Sequence, residues 1–98
     1  MKKTFSLSHP RIKAERLVDS LKNEVKKYIK RERNKSLPED VDYWDFDCKY
    51  GHSEAQAQEI HLSKINKCID EAAGLGLESF YLEVLVKPGY RGRQQDED

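Results

Sequence analysis

The chain has 98 residues, enough for one domain with a modest core and too few for two. Apolar and charged residues each make up 37% of it, which is wetter than an average globular protein but not the composition of a disordered one. No uncharged apolar run exceeds three residues, whereas a membrane span needs roughly 20. The basic start lacks the apolar stretch of a signal peptide, so we expect a cytoplasmic protein.

A net charge of zero conceals a strong asymmetry along the chain. Residues 1–36 hold twelve Lys/Arg and four Asp/Glu, while residues 37–98 hold six and fourteen, which gives +8 and −8. Such a charge separation is informative about the electrostatic field of the protein and its binding partners, not about its fold. Cys48 and Cys68 have no zinc-like spacing, and in a reducing compartment we expect buried thiols rather than a disulfide.

Three segments alternate between apolar and polar residues, as strands with one buried face do. In the middle one, YWDFDCKYG, we expect Trp44 and Phe46 to be buried together with Cys48, and Asp45 and Asp47 to point to water. The other two segments are KTFSLS at 3–8 and SFYLEVLVK at 79–87.

Two segments have a helical period. The first runs from about Arg11 to Lys35 and keeps its apolar residues in one stripe. The second begins at a capping box, SEAQ at 53–56, and runs to about Ala73, with His61 in its buried stripe.

The resulting order is β-α-β-α-β, with a single domain over 1–88 and a flexible charged tail over 89–98. Each strand has only one convincing apolar face, so both helices should cover the same side of the sheet. We therefore predict an α/β (α+β) fold, a two-layer sandwich of a three-stranded sheet with both helices on one face. The strands either run 1-2-3 in parallel or form a mixed sheet.

Two carboxylates on the middle strand raise the question of a metal or catalytic cluster. Asp45 and Asp47 share one strand face and could bind a divalent cation together with Glu83, if the last two strands are neighbours. The same carboxylates could simply solvate an open sheet face, which is the interpretation we favour. We assign no catalytic residue and no cofactor.

The strongest functional signal is KNEVKKYIKRERNK at 22–35. Cations near a helix C-terminus interact favourably with the macrodipole, and the two glutamates can pair locally, but the positive charge exceeds what these effects need. Phosphate backbones attract such a face through counterion release. The predicted contact residues are Arg16, Lys26, Lys27, Lys30, Arg31 and Arg33.

The segments KKTFSLSHP, VKKYIKRERNK, LPEDVDYWDFDCKYG and GLESFYLEVLVKPG make the chain resemble a family of small bacterial proteins known only as a domain of unknown function. The resemblance covers nearly all of residues 2–90. It implies a free-standing bacterial cytosolic protein and supplies no activity or catalytic residue.

Our leading hypothesis is a non-enzymatic module that binds nucleic acid, RNA before DNA, or another polyanion through the outer face of the first helix. The alternative is a protein-interaction or self-association module, in which the basic helix meets an acidic sheet face, a tail or an acidic partner. A metal-dependent enzyme using Asp45 and Asp47 comes third. We expect neither a membrane nor a small-molecule partner.

Overall fold

The structure is a computed structural model that describes residues 1–91, and it contains one sheet and two helices. The helices are α1 (Ala14–Arg33) and α2 (Ile65–Gly74). The strands are β1 (Lys2–Ser6), β2 (Tyr43–Gly51), β3 (Gln58–Ile60) and β4 (Ser79–Gly89). The mixed α+β class is confirmed, but the sheet has four strands instead of the predicted three.

The extra strand replaces the first half of the predicted second helix. Ser53 does not cap a helix: its hydroxyl contacts the Gln56 side chain at 3.3 Å, and residues 54–56 form only a 3₁₀ turn. After Ala57, the β3 residues Gln58–Ile60 pair with Cys48–Tyr50 of β2. Tertiary pairing overrides the capping motif here, because this edge of β2 offers backbone hydrogen bonds that a short polar helix could not replace.

The strand order is β1-β4-β2-β3, and every neighbouring pair is antiparallel. Both predicted arrangements, a parallel 1-2-3 order and a mixed sheet, are therefore wrong. The cause is β3, which turns the chain back along β2 before α2 begins. After that reversal α2 takes the chain back to the other end of the sheet, so β4 is antiparallel to β2 instead of parallel to it.

Both helices pack on the same face of the sheet, as the alternation of the strands predicts. Val25 of α1 and Ile69 of α2 share one core with alternate strand residues such as Phe46 and Leu82. Phe80 of β4 is fully buried at the centre and stacks on Phe5 of β1, with ring centroids 5.4 Å apart. Burying a side chain of this size contributes about 1.5–3 kcal/mol.

Two residues assigned to the core by sequence are not fully buried. Trp44 is on the predicted face but only half-buried, because α1 ends at Arg33 and only the following loop reaches the ring. Its indole Nε1 donates to the backbone oxygen of Lys35 at 2.9 Å. His61 is exposed, and its Nδ1 accepts from the backbone N–H of Ser63 at 3.1 Å, capping the 3₁₀ turn over 62–64.

The last strand extends one residue past position 88, where the sequence predicted that the domain ends. Gly89 belongs to β4, and its oxygen accepts from the backbone N–H of Asp42 at 3.0 Å. The Asp42 carboxylate then accepts from the backbone N–H of Arg91 at 2.7 Å. The rest of the predicted tail, residues 92–98, lies outside the described residues. Among residues 1–91, neither helix is long and apolar enough to cross a membrane.

Candidate polyanion-binding surface

The six basic residues predicted on α1 are all exposed, and they lie outside the buried stripe formed by Val18, Leu21 and Val25. Within residues 1–91 none of the six takes part in a salt bridge. We call Arg16, Lys26, Lys27, Lys30, Arg31 and Arg33 the basic face of α1.

Other basic residues of the same segment do have partners. Lys22 contacts Asp70 of α2 at 2.7 Å, and Lys35 contacts Glu32 at 2.9 Å. Glu32 is buried at the end of the apolar stripe, so this second pair offsets the cost of placing a carboxylate there. The structure thus separates cations that serve the fold from cations that have no acidic partner in the described part of the chain.

The basic face is divided by the shape of the surface. A groove of about 1030 Å³ lies between α1 and the residues at the start of α2, with Lys26, Lys30 and Arg33 along one side and Ser63 and Asn66 along the other. We call these three cations the groove flank. The groove also includes the carboxylate-bearing Asp19 near its other end.

Arg16 and Lys27 do not line that groove; they line a neighbouring depression of about 560 Å³, which shares Asp19 and Asn23 with the groove. We call this pair the outer flank. Arg31 is placed over the ring of Tyr28, with its guanidinium carbon 5.7 Å from the ring centroid. A cation over an aromatic face gains about 0.5–1 kcal/mol at an exposed site, so Arg31 also has a structural role.

Arg33 links the groove to a second, smaller pocket. Its guanidinium carbon is 5.5 Å from the ring centroid of Phe46. The same residue lines a pocket of about 490 Å³ together with Tyr43, Trp44 and Arg91. Sequence reasoning missed the two aromatic residues because alternation assigned Trp44 to the core; the only signal was that two rings start β2, directly after an acidic, proline-containing loop.

Each of the three carboxylates considered for a metal site forms a hydrogen bond or a salt bridge with another residue of the sheet. Asp45 accepts from the backbone N–H of Phe46 at 2.8 Å, and Asp47 pairs with Lys87 of β4 at 2.7 Å. Glu83 accepts from the hydroxyl of Tyr81 at 2.8 Å. Across residues 1–91, no three His, Cys, Asp or Glu side chains are placed to hold a metal ion.

The uncovered face of the sheet is not uniformly acidic. Lys2 pairs in register with Glu83, Glu83 with Lys49, and Lys49 with Glu59, so one row across all four strands alternates in sign. Cross-strand pairs of opposite charge stabilise a sheet by about 0.2–1 kcal/mol each. This face therefore balances its own charge.

Titration shifts on β2 and β4 follow from these contacts. The hydrogen bond to Asp47 raises the pKa of Lys87, which keeps that pair ionised. Burial, with help from Asp47 and Asp45, raises the pKa of Cys48 to about 11, so its thiol is protonated at neutral pH and unsuited to nucleophilic chemistry. Burial and the hydrogen bond to Glu83 raise the pKa of Tyr81 to about 12.

The fold and its charges define a small α+β domain: an antiparallel sheet with two helices on one face, whose longer helix carries cations without acidic partners in residues 1–91. The chain belongs to a family of unknown function (DUF6172), whose model matches residues 1–95. This confirms the resemblance to a domain of unknown function. Comparison with the curated proteins and with the solved structures gave no match.

Proposed function

We propose that the chain is a non-enzymatic module of the bacterial cytoplasm that contacts nucleic acid, RNA before DNA, through the basic face of α1. The observation that carries the proposal is a set of six exposed cations on one helix, none of them ion-paired within residues 1–91. A phosphate backbone would supply the missing negative charge, and release of its counterions would drive binding.

Helix stability alone does not account for this charge. The macrodipole favours cations in the last turn, where Lys30, Arg31 and Arg33 lie. Lys26 and Lys27 lie before the last turn, and Arg16 is in the first turn, where a cation is unfavourable. Cations at such positions that form no salt bridge within residues 1–91 support a role in binding a partner.

The self-association alternative receives less support than the sequence suggested. It needs a negative surface for the basic helix, but the uncovered sheet face alternates Lys2, Glu83, Lys49 and Glu59. An acidic protein docking on α1 would use the same cations as RNA. The metal-dependent enzyme stays third, because Asp45 and Asp47 each bond within the sheet.

Filter binding to mixed-sequence RNA at two salt concentrations tests the proposal. A site that contacts about six phosphates should lose on the order of 10³-fold in affinity between about 50 and 200 mM salt. Changing Lys26, Lys27, Lys30 and Arg31 together to glutamine should weaken retention and reduce the steepness of the salt dependence by about one per lost contact.

Two outcomes would favour the alternatives over nucleic-acid binding. Absence of RNA retention at low salt, combined with a concentration-dependent size in light scattering, would favour self-association. A divalent cation that raises the melting temperature of the unchanged protein, but not of an Asp45→Asn/Asp47→Asn variant, would bring the enzyme hypothesis forward.

A further inference from the structure

The pocket at the end of the groove flank combines aromatic rings with cations. Trp44 and Tyr43 line it together with Arg33 and Arg91, and its volume is about 490 Å³. Arg33 also lines the larger groove between α1 and the start of α2, so the two cavities meet at its side chain. A positively charged groove therefore ends at two partly exposed aromatic rings.

The rings are held in place by neighbouring strands and loops. Trp44 is anchored by its Nε1 hydrogen bond to the Lys35 oxygen at 2.9 Å. Tyr43 lies against Gly89, its register partner on β4, where a Cβ would collide with the ring. The Arg91 guanidinium carbon sits 5.9 Å from the centroid of the Tyr43 ring. Because both rings are fixed, a ligand would lose little conformational entropy in ordering them.

We propose that this pocket binds a base of single-stranded nucleic acid, stacked on Trp44, while Lys26 and Lys30 contact the phosphates that continue along the groove. The inference rests on the proposed function. It adds that the nucleic acid is single-stranded and that one of its bases lies on Trp44. Proteins that bind single strands combine a basic groove with aromatic stacking in this way.

Charge and geometry favour a single strand over a duplex and over a base-free polyanion. In a duplex the faces of the bases are covered by their neighbours, so no base is available to an aromatic ring without unpairing. A base-free polyanion would satisfy the cations but leave Trp44 without a partner. The carboxylate of Asp42 also lines the pocket and accepts from the backbone N–H of Arg91, but Arg33 and Arg91 together leave the lining with a net positive charge.

Trp44 is the sole tryptophan of the chain, which makes its own fluorescence a probe of the pocket. The titrants are a mixed-sequence RNA ten-mer, the DNA strand of the same sequence, the RNA duplex, uridine monophosphate and inorganic polyphosphate. We expect the single strands to quench Trp44 at micromolar concentration and the mononucleotide only far above that, because it lacks the groove contacts. Polyphosphate should compete with RNA without quenching Trp44.

Two substitutions of Trp44 complement the quenching experiment. The affinity of each variant for RNA is measured by the fluorescence anisotropy of a labelled ten-mer. Trp44→Leu removes the stacking ring and should lower affinity on the order of 5- to 100-fold. Trp44→Phe keeps a ring while losing the bond to Lys35, so its affinity should stay within about threefold of the unchanged protein. The quenching experiment uses the unchanged protein and remains decisive if Trp44→Leu does not fold.

The outcomes separate this inference from the function on which it rests. If RNA binds without changing the Trp44 fluorescence, or if polyphosphate or the duplex quenches it equally, the base pocket is overturned. Nucleic-acid binding by α1 would still stand. A folded Trp44→Leu variant that binds as well as the unchanged protein would do the same. Failure of every titrant to bind at low salt would overturn the proposed function itself.

Discussion

The basic face of α1 and the uncovered face of the sheet are both rich in charge, but they arrange it in opposite ways. On the sheet, Lys49 lies between Glu83 and Glu59 in register, and Lys87 bonds to Asp47. On α1, six cations stand without an ion pair in the described part of the chain. Charges on the sheet therefore serve stability, and charges on the helix are available to a partner.

The uncovered sheet face also has one end that is not exposed. Tyr81 is only 4% exposed although it points away from the helices. Its register partner is Gly51, and a Cβ at Gly51 would lie 2.6 Å from the backbone of Ala57. The loop after β2 thus folds over this end of the sheet. Changes on the sheet should accordingly alter stability, and changes on α1 should alter binding.

The largest expected effect comes from matched changes on the two flanks of α1. Lys26→Gln/Lys30→Gln removes two charges from the groove flank, and Arg16→Gln/Lys27→Gln removes two from the outer flank. We expect the groove variant to bind RNA on the order of 10- to 100-fold more weakly and the outer variant about two- to fivefold more weakly, because only the groove leads to the aromatic pocket.

Filter binding at about 0.15 M salt checks this prediction, since the Debye length there is about 8 Å and distant charges are screened. Both variants should melt like the unchanged protein, because exposed positions away from caps and pairs typically change stability by less than about 0.5 kcal/mol. Equal losses from the two flanks would show that the charge of the helix matters and the groove does not.

The next largest effect should come from Gly51→Ala on the sheet. The new methyl group would push against the backbone of Ala57, so we expect a loss of about 1–3 kcal/mol in the free energy of unfolding. Gly74→Ala at the end of α2 is the matched control: nothing lies within 4 Å of its Cβ, and its stability should be unchanged or slightly raised. Urea unfolding measures both.

RNA affinity should be unaffected by Gly51→Ala as long as the protein is folded. A loss of affinity comparable to that of the groove variant would break the distinction between a sheet that stabilises and a helix that binds.

A smaller effect should follow from Lys49→Glu. The change places three glutamates next to one another across β4, β2 and β3 and should cost about 1 kcal/mol of stability, an amount that added salt partly restores. Lys49→Gln is the milder control. If Lys49→Glu melts like the unchanged protein in low salt, the alternating row contributes nothing to stability.

The smallest and most specific effect concerns the pH dependence of stability. The pKa of Tyr81 is about 12 in the folded protein against an ordinary value of 10, so folding favours the protonated phenol. The stabilisation is complete below pH 10 and is lost as the pH rises from about 10 through 12. Tyr81→Phe cannot titrate, so the stability difference between it and the unchanged protein should narrow over this range in urea unfolding.

Much of the candidate surface followed from local pattern. The helical period from Ala14 onward dictated that the lysines of α1 face away from the apolar stripe, and the structure places all six predicted cations there. Alternation in β2 likewise put Phe46 and Cys48 inside and Asp47 outside. These features depend only on which side of one element is apolar.

Other features needed the whole fold. The segment 53–56 satisfies a capping motif locally, yet the free edge of β2 captures the following residues as β3. That one strand reverses β4 and brings Lys87 beside Asp47. No local pattern contains this information, because it depends on which backbone edge is left unpaired.

The sequence by itself determined which side of α1 is buried, which side is charged, and which face of each long strand is buried. These features follow from the periodicity of apolar residues within a single helix or strand. The tertiary structure decided that sheet charges pair across strands, that the groove flank and outer flank are separate, and that Trp44 lies beside Arg33 at the surface. Those facts arise from where elements end relative to one another, and chain reversal at β3 sets that relation.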